Sequence, residues 1–219
     1  MYNKTHQHFD IRLEENFKLF LSGPSRCGKT YFISTLLENL SSFAKQPPTK
    51  IIYIYTVWQL KFVEMSGMVN VFIKDNSSIL EQIKTHATGE PVFIIFDDML
   101  NSNSLPDIAH LFTVDGRHMN LSMAFLTQRM FVNNEHFRQI SQNCDYLCLF
   151  KNPRNSAEVR TLAQQLTPGR LDLIQIYNQA TEAPFSYLFI NLTQNCPPEV
   201  KYISNIFEDD NVKAYILDY

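Results

Sequence analysis

The chain has 219 residues, 45% of them hydrophobic and 19% charged, with a formal net charge of −3. That balance fits one folded α/β domain with a sizeable core and excludes a broadly basic nucleic-acid coat, although a few loop cations could still touch DNA. No apolar run approaches the 18 or more residues of a membrane span, and the first residues lack a signal-peptide core, so the expectation is a soluble intracellular protein with no membrane partner.

Phe17 to Ser22 reads as a strand. It runs into Gly23-Pro24-Ser25-Arg26-Cys27-Gly28-Lys29-Thr30, a complete G-x-x-x-x-G-K-T loop, and Tyr31 to Leu37 then opens a helix with apolar residues at helical spacing. Such a loop holds phosphates because its glycines let successive N–H groups turn inward, beside the positive end of a helix dipole. Lys29 is assigned to the β- and γ-phosphates, and Thr30 to Mg²⁺ through its hydroxyl. The expected cofactors are therefore ATP and Mg²⁺.

A Ser/Pro-rich break from Ser41 to Thr49 leads to a strand at Ile51 to Tyr55, a further short strand over Val69–Lys74, and a helix from about Ser78 to His86. Val92 to Phe96 is a continuous apolar run, as in a strand covered on both faces, and it ends in Asp97-Asp98. An acid at that position holds Mg²⁺, and a second acid can take a proton from attacking water. Asp97 is assigned to the metal and Asp98 to the base; the alternative is that the two share these roles, since a Glu would reach further than Asp98.

A helix near Leu105 to Phe112 precedes Gly116-Arg117-His118 and a strand over Leu121–Thr127, which closes on Gln128. If this strand lies between the two phosphate-site strands, Gln128 faces the γ-phosphate and orients water. Arg117 is the first choice for a cation that reaches a neighbouring subunit's nucleotide, with Arg154 and Arg129 as alternatives. Tyr146 to Phe150 forms the next strand, helices follow at about Ser156–Leu166 and Arg170–Gln179, and Tyr187 to Leu192 returns as a strand. This alternation predicts an α/β fold: a mainly parallel central sheet with helices on both faces, and an extra strand between those carrying the phosphate loop and the acids. Residues 1–195 are read as the ATPase domain. Residues 196–219 are read as a C-terminal tail whose acidic, aromatic end, Phe207 to Tyr219, is frayed or lightly docked, or else docks as a peptide on a neighbouring subunit. Cys27, Cys144, Cys148 and Cys196 have neither disulfide nor zinc spacing and are expected as buried free thiols.

Taken together, Leu21 to Thr30, Phe93 to Asp98, Gly116 to Gln128 and Phe150 to Asn155 resemble the poxvirus-type DNA-packaging ATPases of the FtsK–HerA superfamily, in particular the short forms of Polinton-like elements. The resemblance covers about residues 17–155, and the Gly-Arg-His to Leu-Thr-Gln block is its most discriminating part. It implies a homo-oligomeric ring that pumps double-stranded DNA into preformed capsids at sites of virion assembly, with a capsid or other virion protein as a further partner. It also implies a trans-acting arginine, for which Arg117 is the chosen position. Cys27 replaces a usual small residue and would make the loop oxidation-sensitive; Asn155 replaces a usual Asp. Candidate DNA-gripping loops are Thr56–Gly67, with Trp58 and Lys61, and Leu100–Leu105. The competing functions are a nucleoside or nucleotide kinase, against which the missing Arg-rich lid speaks, and a helicase- or conjugation-type motor of the same core, against which the missing accessory domains speak.

Overall fold

The computed structural model describes residues 10–154, 156–169, 171–208 and 211–217. One nine-stranded sheet runs through it in the order β3-β2-β4-β5-β1-β6-β7-β8-β9. In chain order the strands are β1 (Lys18–Ser22), β2 (Lys50–Tyr55), β3 (Val71–Lys74), β4 (Val92–Asp97), β5 (Leu121–Thr127), β6 (Tyr146–Phe150), β7 (Tyr187–Asn191), β8 (Tyr202–Ser204) and β9 (Lys213–Ala214). The helices are α1 (Lys29–Phe43), α2 (Lys61–Met65), α3 (Ile79–His86), α4 (Leu105–His110), α5 (Gly116–His118), α6 (Glu135–Gln142), α7 (Ser156–Leu166) and α8 (Asp172–Ala180).

Strands β1 to β6 are mutually parallel, and β7, β8 and β9 continue antiparallel. β5 pairs with β1 on one side and β4 on the other. The register sets Ser22 beside Thr127 and Asp97 beside Leu126, so the ends of β1, β4 and β5 lie at one level. In an open parallel sheet this carboxyl edge, where neighbouring strands depart in opposite directions, is where ligands bind.

Side chains alternate across the sheet. Ile52, Ile54, Ile94, Phe96, Met123 and Phe125 enter one core with α3, α4, α6, α7 and α8. Tyr53, Phe93, Ile95, Ala124 and Leu126 enter a second core beneath α1 and α2. All six residues of β4 are buried, which is why its sequence is a continuous apolar run.

Three expectations need correction. The segment after Cys196 is not a frayed tail: β8 and β9 belong to the chain's own sheet, and Val200, Ile203, Ile206 and Ala214 are buried in the second core. Phe207 packs its ring 5.1 Å from that of Phe32 and 5.4 Å from that of Phe43, so it docks on α1 of its own chain. The helix expected to end at Phe112 continues through a π-helical turn, Leu111–Asp115, into α5. The loop expected over Thr56–Gly67 contains α2, where Lys61 pairs with Glu64 and stands 5.8 Å over the Tyr31 ring. Asn155, Arg170, Asp209 and Asp210 lie outside the described residues.

Candidate nucleotide site

β1 ends at Ser22, and the chain must turn sharply to enter α1. Gly23 makes that possible: its N–H donates to the Thr127 carbonyl at 3.2 Å, and a Cβ there would lie 2.6 Å from Phe150 Cβ. Gly28 has φ +113°, a conformation that side chains rarely adopt. The two fixed glycines of the motif are therefore demanded by a close approach and by a left-handed backbone. Arg26 also has positive φ, at 63°. Lys29 Nζ donates to the carbonyls of Gly23 and Pro24 at 2.6 and 2.9 Å, so its ammonium lies folded across the loop mouth.

Across from the loop is a cleft of about 280 Å³ lined by Ser25, Arg26, Lys29, Asp97, Asp98 and Gln128, with Gln59, Leu126 and Thr127 completing it. The residues assigned to phosphate, metal, base and water from three separate stretches of sequence thus meet around one space. Thr30 stands in the first turn of α1 beside Lys29 and is half-buried.

The two carboxylates are not equivalent. Asp97 is 6% exposed, and burial is the main reason its pKa is pushed up to about 6; the Tyr53 hydrogen bond opposes that, the Asp98 charge adds to it, and Lys29 opposes it. Tyr53 Oη donates to Asp97 Oδ2 at 3.0 Å and Gln59 Nε2 donates to the same oxygen at 3.4 Å. Burial raises the Tyr53 phenol well above its ordinary pKa, so it remains a proton donor to Asp97. Asp98, by contrast, is exposed and sits at φ 58°, turned off the strand end into the cleft. Sequence reasoning missed Tyr53 and Gln59. The register is the signal it lacked: Tyr55 lies beside Asp97, so β2 is the strand that flanks the acid.

A hard divalent cation fits this donor set. Mg²⁺ takes oxygen ligands and keeps several waters, binding through one or two carboxylates plus substrate phosphates. The Thr30 hydroxyl and Asp97 supply such oxygens. Among the described residues, no three His, Cys, Asp or Glu side chains cluster as a metal cage.

Arg117 is elsewhere. It precedes β5, at the amino edge of the sheet, whereas Gln128 follows the same seven-residue strand. At about 3.3 Å per residue, some 20 Å separates it from its own chain's cleft. Its charge is felt there by Lys18 and Asp145. Arg129 and Arg154 are both exposed at the carboxyl edge, just past β5 and β6. Cys27 shows no activation: burial raises its thiol pKa despite neighbouring Lys29, which removes the reason to expect easy oxidation. All four cysteines are free; Cys144 and Cys148 are buried as expected, while Cys27 and Cys196 are only half-buried.

A family model described as poxvirus A32 protein matches residues 5–218. The chain belongs to that family. The match includes the C-terminal strands, so the A32 unit is the whole sheet rather than its parallel part alone. No curated protein matches the chain. Among solved structures, the genome packaging NTPase B204 from Sulfolobus turreted icosahedral virus 2, in complex with ATP-gammaS, is similar at TM-score 0.58 and 15% identity, over 83% of this chain and 94% of that one. The cytoplasmic domain of the Thermomonospora curvata type VII secretion ATPase EccC is similar at TM-score 0.53 and 14% identity, over 92% of this chain but only 25% of that one. At these identities the likeness establishes a shared P-loop NTPase fold. Among the described residues no helix is long and apolar enough to cross a membrane.

Proposed function

We propose that this A32-family chain is an ATPase that works as a ring of identical subunits and drives double-stranded DNA of a viral or virus-like genome into capsids. The observation that carries this reading is the convergence of Lys29, Asp97, Asp98 and Gln128 on one cleft at the carboxyl edge of the sheet. The phosphate loop and Lys29 bind the triphosphate, and Thr30 with Asp97 holds Mg²⁺. The cation neutralises phosphate charge when bound.

Asp97 is anchored by Tyr53 and Gln59 through Oδ2, which leaves Oδ1 for the cation. Asp98, exposed at the cleft, accepts the proton of the attacking water, and Gln128 orients that water toward the terminal phosphate. Arg117, far from its own cleft, completes a neighbour's site and stabilises charge on the transferred group. Both the solved relative described as a genome packaging NTPase and the family match support packaging as the task. DNA would be held by backbone phosphate contacts rather than base readout.

ATP hydrolysis measured against protein concentration, with and without double-stranded DNA, tests this reading. The expected result is turnover per subunit that rises with both. Turnover independent of concentration and DNA, but dependent on a nucleoside acceptor, would instead mark a kinase.

A further inference from the structure

On the far side of the phosphate loop lies a second cleft, of about 350 Å³, between loop residues Pro24 to Cys27 and the turn from Glu182 to Ser186, with Lys151 at its rim. Ser25 and Arg26 line both clefts, so the two spaces meet across the loop. The first cleft holds the groups that act on a terminal phosphate and borders β4 and β5. The second cleft opens on the other side of the loop, toward β6 and β7.

Phe185 stands at this opening. It is 67% exposed, and of the exposed large apolar side chains among the described residues it is the one that lines this cleft. Its φ is 64°, a left-handed conformation unfavourable for an aromatic residue. Its position is set against the phosphate loop itself: a methyl group on Gly28 would lie 3.5 Å from Phe185 Cβ. A strained, solvent-facing ring held against a phosphate loop is poorly explained by packing. A planar ligand stacked on it would cover the apolar face.

We infer that the second cleft is the base subsite of the nucleotide, with Phe185 as the platform on which the purine ring stacks. This rests on the triphosphate occupying the first cleft. Phe185 lines this cleft because the antiparallel turn into β7 brings it to the carboxyl edge. Base stacking on an aromatic side chain is tolerant of base identity, because every base has a π-face.

The test compares magnesium ATP with inorganic tripolyphosphate, which has the phosphates but no base. Phe185→Gly removes the ring while accepting the left-handed backbone, so the turn survives. It is expected to weaken ATP on the order of tenfold, leave tripolyphosphate unchanged, and abolish the quenching of 2-aminopurine riboside triphosphate that stacking produces. Phe185→Tyr should behave as wild type in all three. Unchanged ATP affinity in Phe185→Gly would overturn the subsite, and so would an equal loss of tripolyphosphate, because Phe185 would then act through the shape of the phosphate loop. If Lys29→Ala left both ligands bound as in wild type, the phosphate assignment would fail instead, and the subsite with it.

Discussion

The two edges of the sheet are built on opposite terms. At the carboxyl edge, backbone and charge are held in costly states: Arg26 and Phe185 have positive φ, and Asp97 is a carboxylate buried beside the loop. At the amino edge the positive φ values outside glycine belong to Asn16 and Asn120, a residue type that tolerates them, and the buried charge is satisfied. Lys18, 6% exposed, donates through Nζ to the Phe112 carbonyl at 2.6 Å, inside the π-helical turn, and its backbone N–H donates to Asp145 Oδ2 at 2.9 Å. Gly116 lets that turn close against the sheet, since a Cβ there would meet Met123 Cε at 2.6 Å and the Leu111 carbonyl at 2.7 Å. Arg117 follows at once. One edge holds strained backbone and a buried carboxylate around the cleft, while the other presents the exposed Arg117 from a well-fastened base.

Breaking the amino edge at its tip is expected to have the largest effect. Arg117→Ala should bind ATP normally yet lose on the order of 10³ in turnover, with no rescue at high protein concentration. Mixing it with Lys29→Ala should restore part of the activity in steady-state assays, because each variant supplies what the other lacks. No restoration in rings shown to mix would confine Arg117 to a structural part. At the carboxyl edge, Lys29→Ala should weaken ATP about 100-fold by calorimetry, through loss of charge-assisted contacts to the phosphates.

The third prediction sharpens the contrast in stability. Asp97 has a folded pKa of about 6 against 3.8 for the unburied group, so the native state binds the extra proton between those values. The sign follows: in chelator, stability should fall as pH rises from about 4 to 6, and the penalty persists above that range. Asp97→Asn should flatten this profile and be more stable at pH 7 by up to about 3 kcal/mol, read by denaturant melts, while losing magnesium-dependent hydrolysis. A variant less stable at pH 7 would mean that Asp97 holds the fold together. The smallest effect is expected for Lys18→Met at the opposite edge: a loss of about 1–2 kcal/mol, because the Phe112 carbonyl loses its partner, with ATP affinity untouched.

Much of the nucleotide edge was legible along the chain because its parts are local. The phosphate loop is eight consecutive residues, and each of Asp97, Asp98 and Gln128 directly ends an apolar strand. Tyr53 and Gln59 were not legible, since neither has a motif and only the β2–β4 pairing brings them to Asp97. The π-helical turn escaped detection because a single inserted residue shifts the helical period without a marker residue.

The acidic, aromatic C-terminal segment misled for a related reason. Strands of three and two residues, β8 and β9, are too short to display an alternating pattern. They become strands because β7 offers an open edge and α1 offers the Phe32 and Phe43 rings to Phe207.

What the amino-acid order determined alone was the chemistry of the phosphate site and the βα alternation, because both depend on neighbours in the chain: backbone N–H groups curled by two glycines, and apolar runs of strand or helical period. Only the folded structure decided which strands lie side by side, which oxygen of Asp97 is held, and that Phe185 faces the loop across β6. Those are contacts between residues far apart in sequence, selected by how the whole sheet packs.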